Sequence, residues 1–386
     1  MLSLLAALEG VLNGRDAAMV PIPAGDLRTG VALRLGEPIA DEVALVVPTS
    51  GTTGTPKGAM LTPAALIAGA TAGHDRLGGP GSWLLALPPH HIAGIQVLVR
   101  SVLAGTVPVE IDVSAGFDPA ALPEAVERLG SGRRYTALVA NQLAKALEHP
   151  PAVAALADLD AVLLGGGPAP TPLLNRAASE GIMVVRTYGS SETAGGCVYD
   201  GLPLDGVRVR IDDAGADGDG RIAIAGPTLA IGYRNPPAVD PFAEAGWFHT
   251  DDMGRVDDSG RLTVSGRADD AISTGGLTVL PGPVEAVLGR HPAVADCAVF
   301  GLPDDRLGQR VAVAVVVTPE QSAPSLSELR EWVGRSLDPT AAPRELHLVG
   351  DLPRRGIGKV DRQVLRERFG RHDETMTPDG IPAPRH

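Results

Sequence analysis

Cysteine is nearly absent. Cys197 and Cys297 are the only two in 386 residues, far apart and without any paired Cys or Cys/His spacing. That excludes a disulfide framework and a cysteine-bound zinc, and makes a reducing compartment the expectation. Basic residues are in short supply as well: 33 Lys and Arg stand against 46 Asp and Glu, for a formal net charge of −13. A general nucleic-acid binder presents a basic face to phosphates, so that class is excluded, and any anionic ligand must be held by local groups. No apolar run approaches the roughly 20 residues of a membrane span. Residues 1–9 carry neither a basic start nor a cleavage site after a long apolar core, so a cytoplasmic protein with no membrane segment is expected. Internal repeats are missing too. With 44% hydrophobic residues over this length, the chain can close two or three cores.

What is present is organised around Pro48-Thr49-Ser50-Gly51-Thr52-Thr53-Gly54-Thr55-Pro56-Lys57-Gly58. It follows Val43-Ala44-Leu45-Val46-Val47, which reads as a short buried strand, so the stretch is a loop at a strand's carboxyl end. Glycines there let backbone approach a phosphate, Ser50, Thr52 and Thr53 offer hydroxyls, and Lys57 supplies charge. It is not a Walker loop, because Lys57 is followed by Gly58 rather than Ser or Thr. A plain Gly/Ser/Thr turn is the competing reading.

Leu2, Leu5, Leu8 and Leu12 have helical spacing, and Thr62-Pro63 opens a capped helix. A strand at residues 83–87 leads into Pro88-Pro89-His90-His91-Ile92-Ala93-Gly94 and then a mostly apolar helix carrying Arg100. An unpaired buried guanidinium is costly, so Arg100 is expected to reach solvent along its stem or meet a carboxylate. Strands at 135–140, 161–164 and 183–187 alternate with helical segments, which points to an α/β sheet. Two strand ends carry glycine-rich loops. Gly165-Gly166-Gly167-Pro168 can let an adenine ring lie on the backbone, and Tyr188 of Tyr188-Gly189-Ser190-Ser191-Glu192-Thr193 can stack on it. Glu192 offers a hard oxygen for magnesium and Thr193 a hydroxyl for the same phosphates, although the segment also reads as a helix-capping turn.

From Val207 the pattern becomes short alternating strands with Asp/Gly turns, a β-rich subdomain. Within it Trp247-Phe248-His249-Thr250-Asp251-Asp252 runs into two carboxylates, a group suited to ribose hydroxyls. Gly266-Arg267-Ala268-Asp269 then opens a separate α+β domain ending in a basic glycine-rich loop that presents Lys359, which alone reads equally as a solvated turn. The expected organisation is residues 1–266 as one domain, 267–370 as a small mobile lid, and 371–386 as a disordered tail.

Taken together, these stretches resemble the adenylate-forming superfamily of acyl-CoA synthetases, luciferases and peptide-synthetase adenylation domains, from about residue 45 to residue 368. The resemblance implies a large α/β amino-terminal domain with a β-rich portion plus a mobile carboxyl-terminal domain, and it implies ATP, Mg2+ and coenzyme A. It assigns Thr49, Ser50, Gly51, Thr52, Thr53, Gly54 and Lys57 to the phosphates, with Thr193 and with Glu192 on the metal. Gly165, Gly166, Gly167 and Pro168 with Tyr188 would enclose adenine, Gly189 and Ser190 would also bind the nucleotide, Asp252 with Arg267 would hold the ribose, Asp269 would be the hinge and Lys359 the adenylation lysine. The family usually has Thr-Gly-Asp where this chain reads Thr250-Asp251-Asp252, and the chain is short for it at the amino end.

The segment from Leu87 to Ser101 is most similar to the branch of the family that activates o-succinylbenzoate for menaquinone biosynthesis. That acid carries a second carboxylate, for which Arg100 is a candidate counter-ion, with His91 and Ser190 beside the acyl group and His91 also a candidate catalytic residue. The partner expected is therefore a small carboxylic acid, with no nucleic acid and no membrane, and a homodimer is left open. Rival readings are a ligase for another aryl or fatty acid, an adenylation module serving a carrier protein, and a nucleotide-binding regulator without turnover.

Overall fold

The computed structural model describes residues 2–49, 56–215, 218–355 and 358–370. Ser50, Gly51, Thr52, Thr53 and Gly54 lie outside the described residues, as does the 371–386 tail. The chain is α/β and divides into two compact units. One comprises Met1–Ala169, Leu173–Thr250 and Arg255–Thr263; the other comprises Pro170–Pro172, Asp251–Gly254 and Val264–His386.

In the first unit, helix α1 (Leu2–Leu12) buries Leu5, Leu8 and Leu12 of the helically spaced leucines and leaves Leu2 exposed at its start. Helix α2 (Leu27–Ala32) precedes β1 (Leu45–Val47), which pairs antiparallel with β2 (Ala59–Leu61), so the hydroxyl-rich loop joins these two strands. Helix α3 (Pro63–Arg76) starts on Thr62, whose Oγ1 accepts from the Ala65 amide at 3.1 Å. Proline at the first turn costs nothing, because its missing N–H would have had no partner there.

The main sheet has β3 (Ser82–Leu85), β4 (Val109–Glu110), β5 (Arg134–Val139), β6 (Ala161–Gly165), β7 (Val184–Ser190), β8 (Gly195–Tyr199) and β9 (Leu202–Pro203), in the order β4-β3-β5-β6-β7-β8-β9. Pairing is parallel from β4 to β7 and antiparallel from β7 to β9. β5 and β6 are almost continuously apolar and buried, as parallel strands covered on both faces must be. Helix α4 (Ile92–Ala104) follows β3 and ends where Gly105 takes φ 65°, a left-handed cap. A further sheet of β10 (Arg208–Asp212), β11 (Gly220–Ala225), β12 (Trp247–Val256) and β13 (Leu262–Arg267) accounts for the change of pattern after Val207.

The second unit is built on β14 (Ile272–Thr274), β15 (Leu277–Val279), β16 (Val294–Asp304), β17 (Gly308–Val317) and β18 (Glu345–Leu348). Strand alternation sorts β17 into two faces. Val311, Val313 and Val315 pack with Val284 and Leu288 of helix Pro281–Leu288 and Leu329 and Val333 of helix Leu326–Gly334. Ala312 and Ala314 pack with Phe300, Leu352 and Leu365 on the other side. A small hairpin of β19 (Arg354–Arg355) and β20 (Lys359–Val360) precedes the last helix, Arg362–Phe369. No described helix is long and apolar enough to cross a membrane.

Candidate functional site

Three of the stretches singled out in the first unit leave the carboxyl ends of parallel strands: His90-His91 after β3, Gly166-Gly167-Pro168 after β6, and Ser191-Glu192-Thr193 after β7. In open α/β sheets that edge is where ligands bind. The glycines there answer to different needs. A Cβ on Gly165 would stand 2.6 Å from Thr187 Oγ1, and one on Gly189 2.0 Å from the Gly195 carbonyl, so both are demanded by strand packing. A Cβ on Gly167 would meet nothing within 4 Å, which leaves its bare backbone available to a flat ligand.

Glu192 is buried, and its Oε1 accepts a hydrogen bond from the Tyr233 phenol at 2.7 Å. The Lys57 ammonium stands over the same tyrosine ring, 5.4 Å from its centroid. These groups meet because residues 230–235 run beside the exit of the hydroxyl-rich loop. The Ala230 amide donates to the Glu192 carbonyl at 2.8 Å, Arg234 to Gly58 at 2.9 Å and Asn235 to Lys57 at 3.0 Å. Thr193 Oγ1 accepts from the Ser190 amide at 2.9 Å and donates toward the Gly195 carbonyl at 2.8 Å. Its hydroxyl is thus committed to the turn that presents Glu192. Ser190 Oγ, by contrast, is buried with no partner among the described residues.

The expectation for Arg100 is corrected. It neither reaches solvent nor meets a carboxylate: it is 3% exposed, lies over Trp83 at 4.9 Å and donates from Nη2 to the Tyr199 phenol at 2.9 Å. Gly73 on α3 makes room for it, since a Cβ there would stand 3.3 Å from the guanidinium. Nε has no partner among the described residues, and neither have Gln96 Oε1 and Thr228 Oγ1. Stacking on an indole and one neutral hydrogen bond offset only part of the desolvation of the charge.

The nearby histidines are neutral. His74 accepts from Trp83 Nε1 at 3.1 Å, and burial, with Arg100 adding to it, pulls its pKa down to about 4. Burial, with a smaller push from His90, brings His91 to about 4 as well. Both fall below the ordinary 6.5, so the unfolded chain binds more protons between those values, and stability is full above about pH 6.5 and declines toward pH 4. We expect a loss on the order of 1 kcal/mol per imidazole by about pH 5, after allowance for solvent screening. Thermal melts across that range check this, and a flat profile would contradict it.

Tyr188 lies on β7 of the first unit, whereas Asp252, Arg267, Asp269 and Lys359 belong to the second. Arg267 forks onto Asp269 with Nε–Oδ1 2.8 Å and Nη2–Oδ2 2.9 Å, and also lies 3.3 Å from Asp251 and 3.7 Å from Asp252. Burial raises the Asp269 carboxyl, but the guanidinium outweighs it and holds the group below the usual range. Asp252 on β12 and Asp269 thus share one arginine. Lys359 is exposed on β20, its backbone paired opposite Arg355.

Sequence reasoning missed Tyr233 and Arg234. A four-residue run, Gly232-Tyr233-Arg234-Asn235, after a glycine-proline turn carries no periodicity; only the arrangement in space shows that Arg234 donates to the carbonyls of Leu33, Arg34, Glu37 and Pro38.

Residues 16–234 match the family described as AMP-binding enzyme, and residues 283–359 match the AMP-binding enzyme C-terminal domain. The chain belongs to the AMP-binding enzyme family, and has its fold of a large amino-terminal domain and a smaller carboxyl-terminal one. It is 69% identical over 368 residues, 95% of each chain, to a probable 2-succinylbenzoate–CoA ligase of Mycobacterium tuberculosis (strain H37Rv). It is 32% identical over 346 residues to a 2-succinylbenzoate–CoA ligase of Bacillus cereus (strain Q1), covering 85% of this chain and 70% of that one. Among solved structures it is similar to the o-succinylbenzoate CoA synthetase of Bacillus subtilis in complex with the acyl-adenylate intermediate, with a TM-score of 0.72, 30% identity, and coverage of 84% of this chain and 69% of that one. The same Bacillus subtilis synthetase in complex with ATP and magnesium ion gives a TM-score of 0.70 at 30% identity, over 85% of this chain and 70% of that one.

Proposed function

We propose that this protein is an AMP-forming acid–thiol ligase that converts o-succinylbenzoate to its coenzyme A thioester in menaquinone biosynthesis, acting in the cytoplasm. A carboxylate is a poor electrophile, because expelling oxide is prohibitive. In the first half-reaction its oxygen attacks the α-phosphorus of ATP and pyrophosphate leaves, giving the acyl adenylate. In the second, the thiol of coenzyme A attacks the acyl carbon, loses its proton and displaces AMP. The observation that carries this reading is the gathering of a buried carboxylate, Glu192, and the loop cation Lys57 around Tyr233, at the ligand-binding edge of a parallel sheet.

Thr49, Ser50, Gly51, Thr52, Thr53, Gly54 and Lys57 take the β- and γ-phosphates; Gly165, Gly166, Gly167 and Pro168 with Tyr188 enclose the adenine, and Gly189 and Ser190 also bind the nucleotide. Thr193 shapes the turn that presents Glu192. Asp252 accepts the ribose hydroxyls with Arg267 beside it. The donor set fits magnesium: Glu192 is a hard carboxylate with one oxygen held by Tyr233 and the other making no hydrogen bond among the described residues. When bound, Mg2+ would neutralise triphosphate charge as pyrophosphate departs. Lys359 adds positive charge at the α-phosphate, and Asp269 is the pivot about which its domain turns.

His91, neutral at physiological pH, offers the acyl group a hydrogen bond rather than a charge. Arg100 is the counter-ion of the second carboxylate, supported by its burial with only neutral partners. Replacing it by leucine is expected to raise KM for o-succinylbenzoate roughly 10- to 100-fold, the range for losing a charge-assisted pair. A monocarboxylic analogue should be unaffected and the melting temperature should hold or rise, because a desolvated charge is removed. Equal losses on both acids would contradict that role. The whole reading is tested by AMP release from a panel of carboxylic acids, with and without coenzyme A. Release that is indifferent to o-succinylbenzoate would overturn it.

A further inference from the structure

We propose that Tyr233 is a positioning residue for the magnesium triphosphate: its phenol fixes the carboxylate of Glu192 and its ring seats the ammonium of Lys57. The inference rests on the reading of Glu192 as the metal ligand, and adds to it a group that neither the loop motifs nor their spacing indicates. Tyr233 is 8% exposed and Glu192 9%, so their 2.7 Å hydrogen bond is shielded from competing water. A carboxylate oxygen that accepts a buried phenol proton is fixed in direction, and the other oxygen would be the one to hold a cation; such outer partners set the orientation of metal ligands.

The tyrosine is itself held firmly. Its backbone bridges Ala59 in antiparallel fashion, and its ring meets Phe242 edge-on at 5.5 Å, with Phe242 stacked on Phe248 at 4.9 Å. Aromatic residues are only 3% of this chain, and three of them converge behind this one hydroxyl. On the ring's face, Lys57 at 5.4 Å is kept at the mouth of the phosphate loop by cation–π attraction. A single side chain therefore sets both a metal ligand and a phosphate cation, and it lies on neither element.

Two substitutions separate the two roles. Tyr233→Phe removes the hydroxyl and keeps the ring, whereas Tyr233→Leu removes both. Mn2+ held by the protein–ATP complex, measured by electron paramagnetic resonance against ATP alone, reports the metal without turnover. Tyr233→Phe is expected to weaken Mn2+ about 10-fold, the lower end of losses for outer-shell partners, while ATP binding without metal stays within about 2-fold. Tyr233→Leu should lose as much Mn2+ affinity and, in addition, several-fold in metal-free ATP affinity, because Lys57 is unseated. Glu192→Gln serves as the reference. If Glu192→Gln weakens Mn2+ and Tyr233→Phe does not, Tyr233 has only a packing role and the inference is overturned. If Glu192→Gln itself leaves Mn2+ binding intact, the assignment of the metal ligand falls, and the inference with it.

Discussion

Lys359→Ala is expected to slow acyl-adenylate formation by about 10²–10³-fold, the range for removing one preorganised charge or donor from a transition state. Pre-formed adenylate should still pass to coenzyme A at close to the normal rate. The asymmetry follows from where charge develops. Attack of a carboxylate on triphosphate brings two anions together, whereas thiol attack on the adenylate expels AMP from an already activated carbon. Lys359 stands exposed on β20 in a hairpin with β19, so its removal leaves no buried group unpaired and the fold should be untouched. Single-turnover assays of the two half-reactions check this, and equal slowing of both would remove Lys359 from its assigned role.

The largest expected effect on stability is at Arg234. Its guanidinium is 8% exposed and donates to the Pro38 carbonyl at 2.8 Å, Glu37 at 3.2 Å, and Leu33 and Arg34 at 3.4 Å. Next to it, Asn235 Nδ2 ties Ala32 to Pro56 by donating to both carbonyls. Arg234→Ala removes a largely buried donor shared by four carbonyls, of which that of Arg34 still accepts from the Glu37 amide, and is expected to cost about 3 kcal/mol. Arg234→Lys should recover little of it, because one ammonium cannot span the four acceptors. Urea unfolding at fixed pH measures the difference, and a loss under about 1 kcal/mol would show that water replaces the guanidinium.

Much of the fold can be read in the sequence where burial imposes a period. The leucines of α1, the capped start of α3 and the Val/Ala alternation of β17 each leave a pattern that packing then uses. The candidate phosphate loop and the turn bearing Glu192 are legible for a different reason: their chemistry needs an unusual density of glycine, hydroxyls and one charge. What brings them together is not legible. Residues 230–235 act through backbone hydrogen bonds and three side chains, and backbone pairing leaves no compositional trace.

Arg100 shows another limit. Sequence marks it as anomalous on an apolar helix, and the cost of burying charge suggests a carboxylate or water. The partners it meets are an indole face from β3, the strand just before its helix, and a phenol from β8, far along the chain, and no periodicity announces either. Glycine loops mislead in a smaller way. Gly165 and Gly189 are bare because strands crowd them, whereas Gly167 opens onto free space.

The carboxyl-terminal sheet is covered by hydrocarbon on each side, valines against two helices and alanines against the last one. A module with an interior of its own can be inherited, exchanged and retuned as a piece. Selection is then free to act on the residues around Asp269 and Lys359 without unsettling that interior, and the first unit can change independently of it.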